Sequence, residues 1–232
     1  MAQTWVDFWN GGTTIYANDR HLAVHYETVA NDIVALVGNP GGVVIDFGCG
    51  AALSADKVAA AVRHLWLVDA APTVRADLAQ RFRTVANISV ASPERLALVA
   101  DATVDAIVAN SVVQYLSKDE FRSALRLWRR LLKPAGTLVV ADVLPPNQSA
   151  VKDAAALLSF GAKHGFLAPA ARGLVRTALS DYRSIRSRLG LTTYTPDAML
   201  DAFAEEGFTA TRLPKNIGHN QARMTFQARR SR

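Results

Sequence analysis

The sequence predicts a doubly wound α/β fold, and three observations carry that prediction. Val43-Val44-Ile45-Asp46-Phe47 is a short apolar, β-branched run that passes straight into Gly48-Cys49-Gly50-Ala51-Ala52, and from about Ser54 a helical pattern follows with Val58, Val62 and Leu65 on one face. A second apolar run, Leu65-Trp66-Leu67-Val68, ends in Asp69, twenty-three residues after Asp46. Strand and helix patterns then alternate as far as residue 144 and resume at 195. The element order predicts seven strands in one sheet, the last of them antiparallel.

The first strand, turn and helix form the segment on which function turns. Glycine at 48 and 50 lets the backbone adopt conformations that a side chain forbids, so a ligand is expected against bare amides at the head of the helix. Asp69 has the place and spacing at which an acid accepts hydrogen bonds from ribose hydroxyls. A dinucleotide fingerprint read from Gly48 requires a small residue at position 53, where Leu53 stands. A carboxylate at Asp46 would also repel a pyrophosphate, whereas it suits a cationic ligand.

These residues resemble motif I of the class I S-adenosylmethionine-dependent methyltransferases, with Asp46 as the motif acid and a departure at Ala52, where a third glycine is usual. The resemblance covers residues 40 to 144 strongly and 195 to 229 acceptably, and implies a Rossmann-like sheet and S-adenosylmethionine as cofactor. It places the donor among Asp46, Phe47, Gly48, Cys49 and Gly50. Asp69 and its neighbour Ala70 fall at the ribose, and Ser92 with Pro93 at the adenine, where the family usually has an acid. Asn110 and Ser111 fall under the methionine part.

Composition bounds the rest. With 232 residues, half of them hydrophobic, the chain has the size of a single domain with a lid. The single cysteine, Cys49, excludes an internal disulfide and reads as a small residue packed under the ligand. No leader pattern begins the sequence and no run of ~18 apolar residues could span a bilayer, so a soluble, cytoplasmic protein is expected. The net charge of +6 permits an anionic partner but is more often a solvated surface. No metal is expected, and a homo-oligomer is compatible with the sequence.

Taken in order, residues 1–38 form an aromatic- and histidine-rich cap segment, with a helix from about Asp19 to Val37 carrying Leu22, Tyr26, Val29, Ile33 and Val37 on one face. Tyr16, His21 and His25 are candidate pocket residues there. Pro72 opens a helix with Val74, Leu78 and Phe82 inward, and strands follow at Asn87–Ala91 and Val104–Asn110. The fourth strand delivers Gln114 and Tyr115, both candidate substrate contacts. Ser117-Lys118-Asp119-Glu120 has capping-box spacing and opens a helix that stops at Pro134 and Gly136, before a buried strand at Thr137–Val143. Thr195-Pro196 begins another helix ended by Gly207, and strands at about Phe208–Leu213 and Arg223–Ala228 complete the set.

Residues 145–194 are too long for a simple connection and carry apolar helical patterns, which reads as a helical lid insertion within a single domain spanning 1–232. Arg172, Arg176, Arg183, Arg186 and Arg188 against Asp181 make it locally basic, and a solvated helix face is the plainer reading. If the sixth strand runs parallel to the first five, the loop Pro214–Gln221 emerges at the cofactor edge. Asn216 then becomes a substrate contact and His219 the candidate general base or orienting group. The function expected is in-line methyl transfer to a small molecule or lipid. An RNA methyltransferase is the alternative substrate reading, with nucleic acid disfavoured because the arginines are not interleaved with exposed stacking aromatics. A non-catalytic S-adenosylmethionine-binding protein is the alternative in kind, and a nucleotide-dependent oxidoreductase is disfavoured by Leu53 and Asp46.

Overall fold

The structure, a computed structural model, describes residues 4–11, 15–178 and 188–231. Its helices are α1 (Trp5–Asn10), α2 (Asp19–Val37), α3 (Ala55–Ala60), α4 (Pro72–Arg81), α5 (Lys118–Leu131), α6 (Ala150–His164), α7 (Leu167–Ala178) and α8 (Pro196–Glu205). The strands are β1 (Asn39–Phe47), β2 (Val62–Val68), β3 (Ile88–Ala91), β4 (Val104–Asn110), β5 (Leu132–Val143), β6 (Phe208–Arg212) and β7 (Met224–Arg230). They form one seven-stranded sheet in the order β3-β2-β1-β4-β5-β7-β6. β7 pairs antiparallel with both β5 and β6, so β6 points the same way as the first five strands. The β6–β7 loop therefore emerges at the carboxyl edge of the parallel strands, where ligands bind in open α/β sheets.

Strand alternation sends side chains to two separate cores. On one face Ile45, Phe47, Ile107 and Val140 meet Phe121, Leu125 and Trp128 of α5 and Met199 and Phe203 of α8. On the other, Val44, Leu65, Leu67 and Val108 meet Val29 and Ile33 of α2, Val58 of α3 and Leu78 of α4. Burial of each large apolar side chain contributes roughly 1.5–3 kcal/mol, so both cores hold the sheet firmly. A third, small cluster of Val24, Phe160, Phe166 and Ala170 joins α6 and α7 to α2.

Caps set the helix starts that matter for the site. The Asn18 side chain accepts the His21 amide and fixes the start of α2, and Ser117 with Glu120 makes the expected capping box. One boundary differs from expectation: the helical pattern through Val62 and Leu65 breaks at Ala60, and both residues lie buried on β2. An apolar spacing of four and then three residues serves a helix face, but once the chain has turned it equally serves a short buried strand. β1 and β5 also begin earlier than read, at Asn39 and Leu132, each through an irregular stretch of pairing.

Of the 145–194 insertion, α6 and α7 are described. Asp181, Arg183, Arg186 and the side chain of Arg176 lie outside the described residues, whereas Arg172 is exposed. No helix among the described residues is long and apolar enough to cross a membrane.

Candidate functional site

The bend after β1 is held from within. Gly48 (φ +70°) and Gly50 (φ +56°) occupy left-handed backbone space, and so does Ala52 (φ +40°), which stands where a third glycine would be free of strain. The backbone amides of Gly48 and Cys49 both donate to the Val68 carbonyl, at 2.7 and 3.1 Å. The Gly50 amide donates to Asp69 Oδ2 (3.0 Å) and the Ala51 amide to Tyr26 Oη (2.9 Å). The bare amides expected from sequence are therefore already bonded, because β2 and α2 come close enough to take them. An anion would find no donors on these four residues.

Negative charge converges there instead. Burial, and secondarily the charge of Asp69, push the Asp46 carboxyl up to about 7. Asp69 is raised too, chiefly by burial and against the pull of its bonds from the Ala71 and Gly50 amides. Arg75 does not pair with this carboxylate; its guanidinium donates to the main-chain oxygens of Asp69 and Ala70. Two poorly solvated carboxylates beside a bend without free donors make a site for a cation.

Other residues predicted for the donor divide by role. Phe47 turns its ring into the core against Trp128 (5.1 Å between centroids), so it offers the bend only backbone. Cys49 is buried, and burial followed by the charges of Asp46 and Asp69 pushes its thiol well up, which leaves it inert. Ser92 and Pro93 follow β3 and begin a short 3₁₀ turn, where Ser92 also lines a cleft with Arg75, Val90 and Arg95. The Ser92 hydroxyl bonds Glu94, so an acid does stand near the place where the resemblance expects one. At the end of β4, Asn110 Oδ1 is buried without a hydrogen-bond partner, one strand away from the glycine bend. Such an orphan acceptor fits a ligand that brings its own N–H donors.

Beyond Asn110 lies a second group. Ser111 (φ +59°) and Asp142 (φ +57°) both adopt left-handed backbone at neighbouring strand ends, and Ser111 Oγ donates to Asp142 Oδ2 at 2.7 Å. Asn216 Oδ1 accepts the Asp142 amide (3.1 Å) and the Thr225 hydroxyl (2.7 Å), while its Nδ2 donates to the carbonyls of Ile217 and Asn220. Asn216, predicted as a substrate contact, is thus fully engaged as the anchor of the β6–β7 loop.

The same loop carries His219, which stacks on Phe160 of α6 (4.5 Å, 13°) and lies 6.3 Å from His25 and 6.2 Å from His21, between ring centroids. Tyr16 sits 5.2 Å from His25, and Tyr26 and Tyr16 are hydrogen-bonded to each other. All three imidazoles are held neutral. Burial first, then the proximity of His219, lowers His21 to about 4, and burial with both neighbours lowers His25 to about 3. Burial and then Arg223 lower His219, with Asp153 opposing. Despite these three histidines, the described residues contain no group of three or more metal-ligating side chains arranged to hold an ion.

Tyr115 packs beneath Trp5 (4.8 Å) and Trp9 (5.7 Å) of α1, and Gln114 is buried with Oε1 lacking a partner. Sequence reasoning missed Tyr26 and Asp142 as site residues. Tyr26 lay on an apolar helix face, and Asp142 was absorbed into a strand; a lone acid ending the run Leu138–Ala141 was the available signal.

Comparison with known proteins agrees with this geometry. A family model described as "Methyltransferase domain" matches residues 45–140, from the end of β1 through most of β5. An uncharacterized methyltransferase of Bacillus velezensis is 23% identical over 205 residues, covering 88% of this chain and 86% of the relative. The fold is that of the YcgJ protein from Bacillus subtilis, with a TM-score of 0.61 at 15% identity over 90% of this chain and 100% of that one. It is also that of the magnesium protoporphyrin IX methyltransferase of Synechocystis, solved with bound S-adenosylhomocysteine, with a TM-score of 0.56 at 15% identity over 100% of this chain and 90% of that one. Residues 45–140 thus match a methyltransferase domain, and the chain shares the fold of enzymes that bind S-adenosylmethionine or its demethylated product.

Proposed function

We propose that this chain binds S-adenosylmethionine at the bend after β1 and transfers its methyl group to a small molecule or lipid. One observation carries the reading: the Asp46 and Asp69 carboxylates converge on a bend whose amides are already bonded, so the site calls for a positive ligand. Asp69 holds the ribose, Asn110 and Ser111 lie under the methionine part, and Ser92 with Pro93 borders the adenine. The bound donor supplies an electrophilic methyl group on sulfur. The chain's own tasks are to hold the acceptor in line, exclude water and take up a proton. The helical insertion acts as a lid: Phe160 of α6 stacks on His219, and Phe166 stacks on His21 at 4.9 Å. The Synechocystis enzyme, which acts on a small-molecule substrate, supports the acceptor class.

Calorimetry tests the donor assignment. At pH 6 Asp46 is mostly protonated, and a cationic ligand favours the ionised form, so binding expels a proton. Titrations in buffers of different ionisation heat should show that release, and donor affinity should rise between pH 5 and pH 8. Asp46→Asn should abolish the release. Absence of binding heat, or proton uptake, would overturn the assignment.

His219 is the proposed proton acceptor, an imidazole kept neutral and therefore able to receive a proton from an O–H or N–H nucleophile. His219→Ala should lower kcat about 10²–10⁴-fold with donor affinity unchanged. A loss under about 3-fold would leave His219 as lid packing alone.

A further inference from the structure

We infer that Asp142 is the group that recognises the acceptor, and that the acceptor carries an ammonium group. The inference rests on the methyl-transfer reading and adds to it a residue and a substrate class.

Placement is the first support. Asp142 is the penultimate residue of β5, and the Asn110↔Ala141 pairing sets it beside Ser111 at the carboxyl edge of the sheet. β1, which leads into the glycine bend, is two strands away, at about 4.8 Å per strand. A group at β5 therefore stands beyond the donor's end of the site, on the side from which an acceptor must approach. The backbone is strained to put it there: both Ser111 and Asp142 hold positive φ, a region that disfavours residues with a side chain. Three contacts from neighbouring elements over-determine the position, namely Ser111 Oγ on Oδ2, the Ser111 amide on the Ala141 carbonyl, and Asn216 Oδ1 on the Asp142 amide. Strain held in this manner collects at functional sites.

The chemistry of the surroundings is the second support. A carboxylate can accept about four hydrogen bonds, and Ser111 and the Asn216 side chain take part of that capacity. The cation whose charge reaches Asp142 is Arg223, and Arg223 Nη2 is itself tied to Asp153 Oδ2 at 2.9 Å. The Asp142 and Asp153 carboxylates thus share the one guanidinium of Arg223, and a cationic ligand would favour the ionised form of Asp142 that burial disfavours. Tyr16, which Asp142 influences electrostatically, belongs to a run of rings that includes His25 and Tyr26, and the His21, His25 and His219 rings contribute no positive charge at neutral pH. Electron-rich ring faces attract cations. A carboxylate, aromatic rings and neutral imidazoles would receive an ammonium group, whereas an anion would have to compete with Asp153 for Arg223.

The test uses three probes of one size and different charge: benzylamine, benzyl alcohol and benzoate. Their binding to the full chain loaded with S-adenosylhomocysteine is measured by calorimetry or ligand-observed NMR, and repeated on the chain alone. Benzylamine should bind at least tenfold more tightly than either analogue, and Asp142→Asn should bring the three within about twofold while S-adenosylhomocysteine affinity persists. Equal binding of the three probes by the parent chain, or an amine preference that survives Asp142→Asn, overturns the inference. The probe series on the parent chain decides the matter even if the variant does not fold. If the amine preference is found and no donor binds, the methyl-transfer reading fails and the ammonium site stands. Donor binding without the preference gives the reverse.

Discussion

Gly48→Ala should lower the unfolding free energy by about 2–5 kcal/mol and remove measurable S-adenosylmethionine affinity. Two separate costs add. The backbone at φ +70° costs any residue with a side chain about 1–2 kcal/mol. A Cβ built there would also stand 2.2 Å from Val112 Cγ2, well inside contact distance, so Val112 must move out of its packed position at a cost of about 1–3 kcal/mol. The two are separable by pairing the substitution with Val112→Ala. The double variant should regain the steric part and keep the conformational part, relative to Val112→Ala alone. Urea unfolding of the four proteins measures both terms. A Gly48→Ala protein within about 0.5 kcal/mol of the parent would mean that the bend is not built as described.

Asp69→Ala is expected to weaken S-adenosylmethionine binding about 10–100-fold, or roughly 1.4–2.8 kcal/mol. Asp69 performs two tasks at once. In the proposed binding mode its carboxylate would offer lone pairs to the ribose, and it accepts the Gly50 amide at 3.0 Å and the Ala71 amide at 2.8 Å. Truncation leaves both amides without an acceptor and loosens the bend, so a stability loss should accompany the loss of affinity. Asp69→Asn should not be benign either, since an amide nitrogen would face one of the two N–H groups. Calorimetry on samples whose folded fraction has been checked by circular dichroism separates the effects. Unchanged affinity in a folded Asp69→Ala protein would remove Asp69 from the donor site.

Much of the framework was legible because its signals are local. The span of α2 and that of β4 were readable to the residue, the first from its apolar face and the second from a buried β-branched run. The bend after β1 and the acid ending β2 were visible as a spacing. What escaped depended on contacts between distant parts of the chain. The glycines and the preference of Asp46 for a cationic ligand were legible, but not that Val68, Asp69 and Tyr26 already bond the amides expected to lie bare. Asp142 was hidden for a related reason. Its role depends on the pairing that sets it beside Ser111 and on the loop that brings Asn216 to its amide, and neither leaves a mark within a few residues of position 142. The α3–β2 boundary failed because apolar spacing alone does not say where a helix gives way to a strand.

The four-residue apolar cluster of Val24, Phe160, Phe166 and Ala170 shares no member with either sheet core. Helices α6 and α7 therefore draw little of their cohesion from the strands that build the glycine bend. Changes in this region can accumulate, or be engineered, at small expense to the half of the molecule assigned to the methyl donor, so a single sulfonium-binding chassis is free to diversify its clientele.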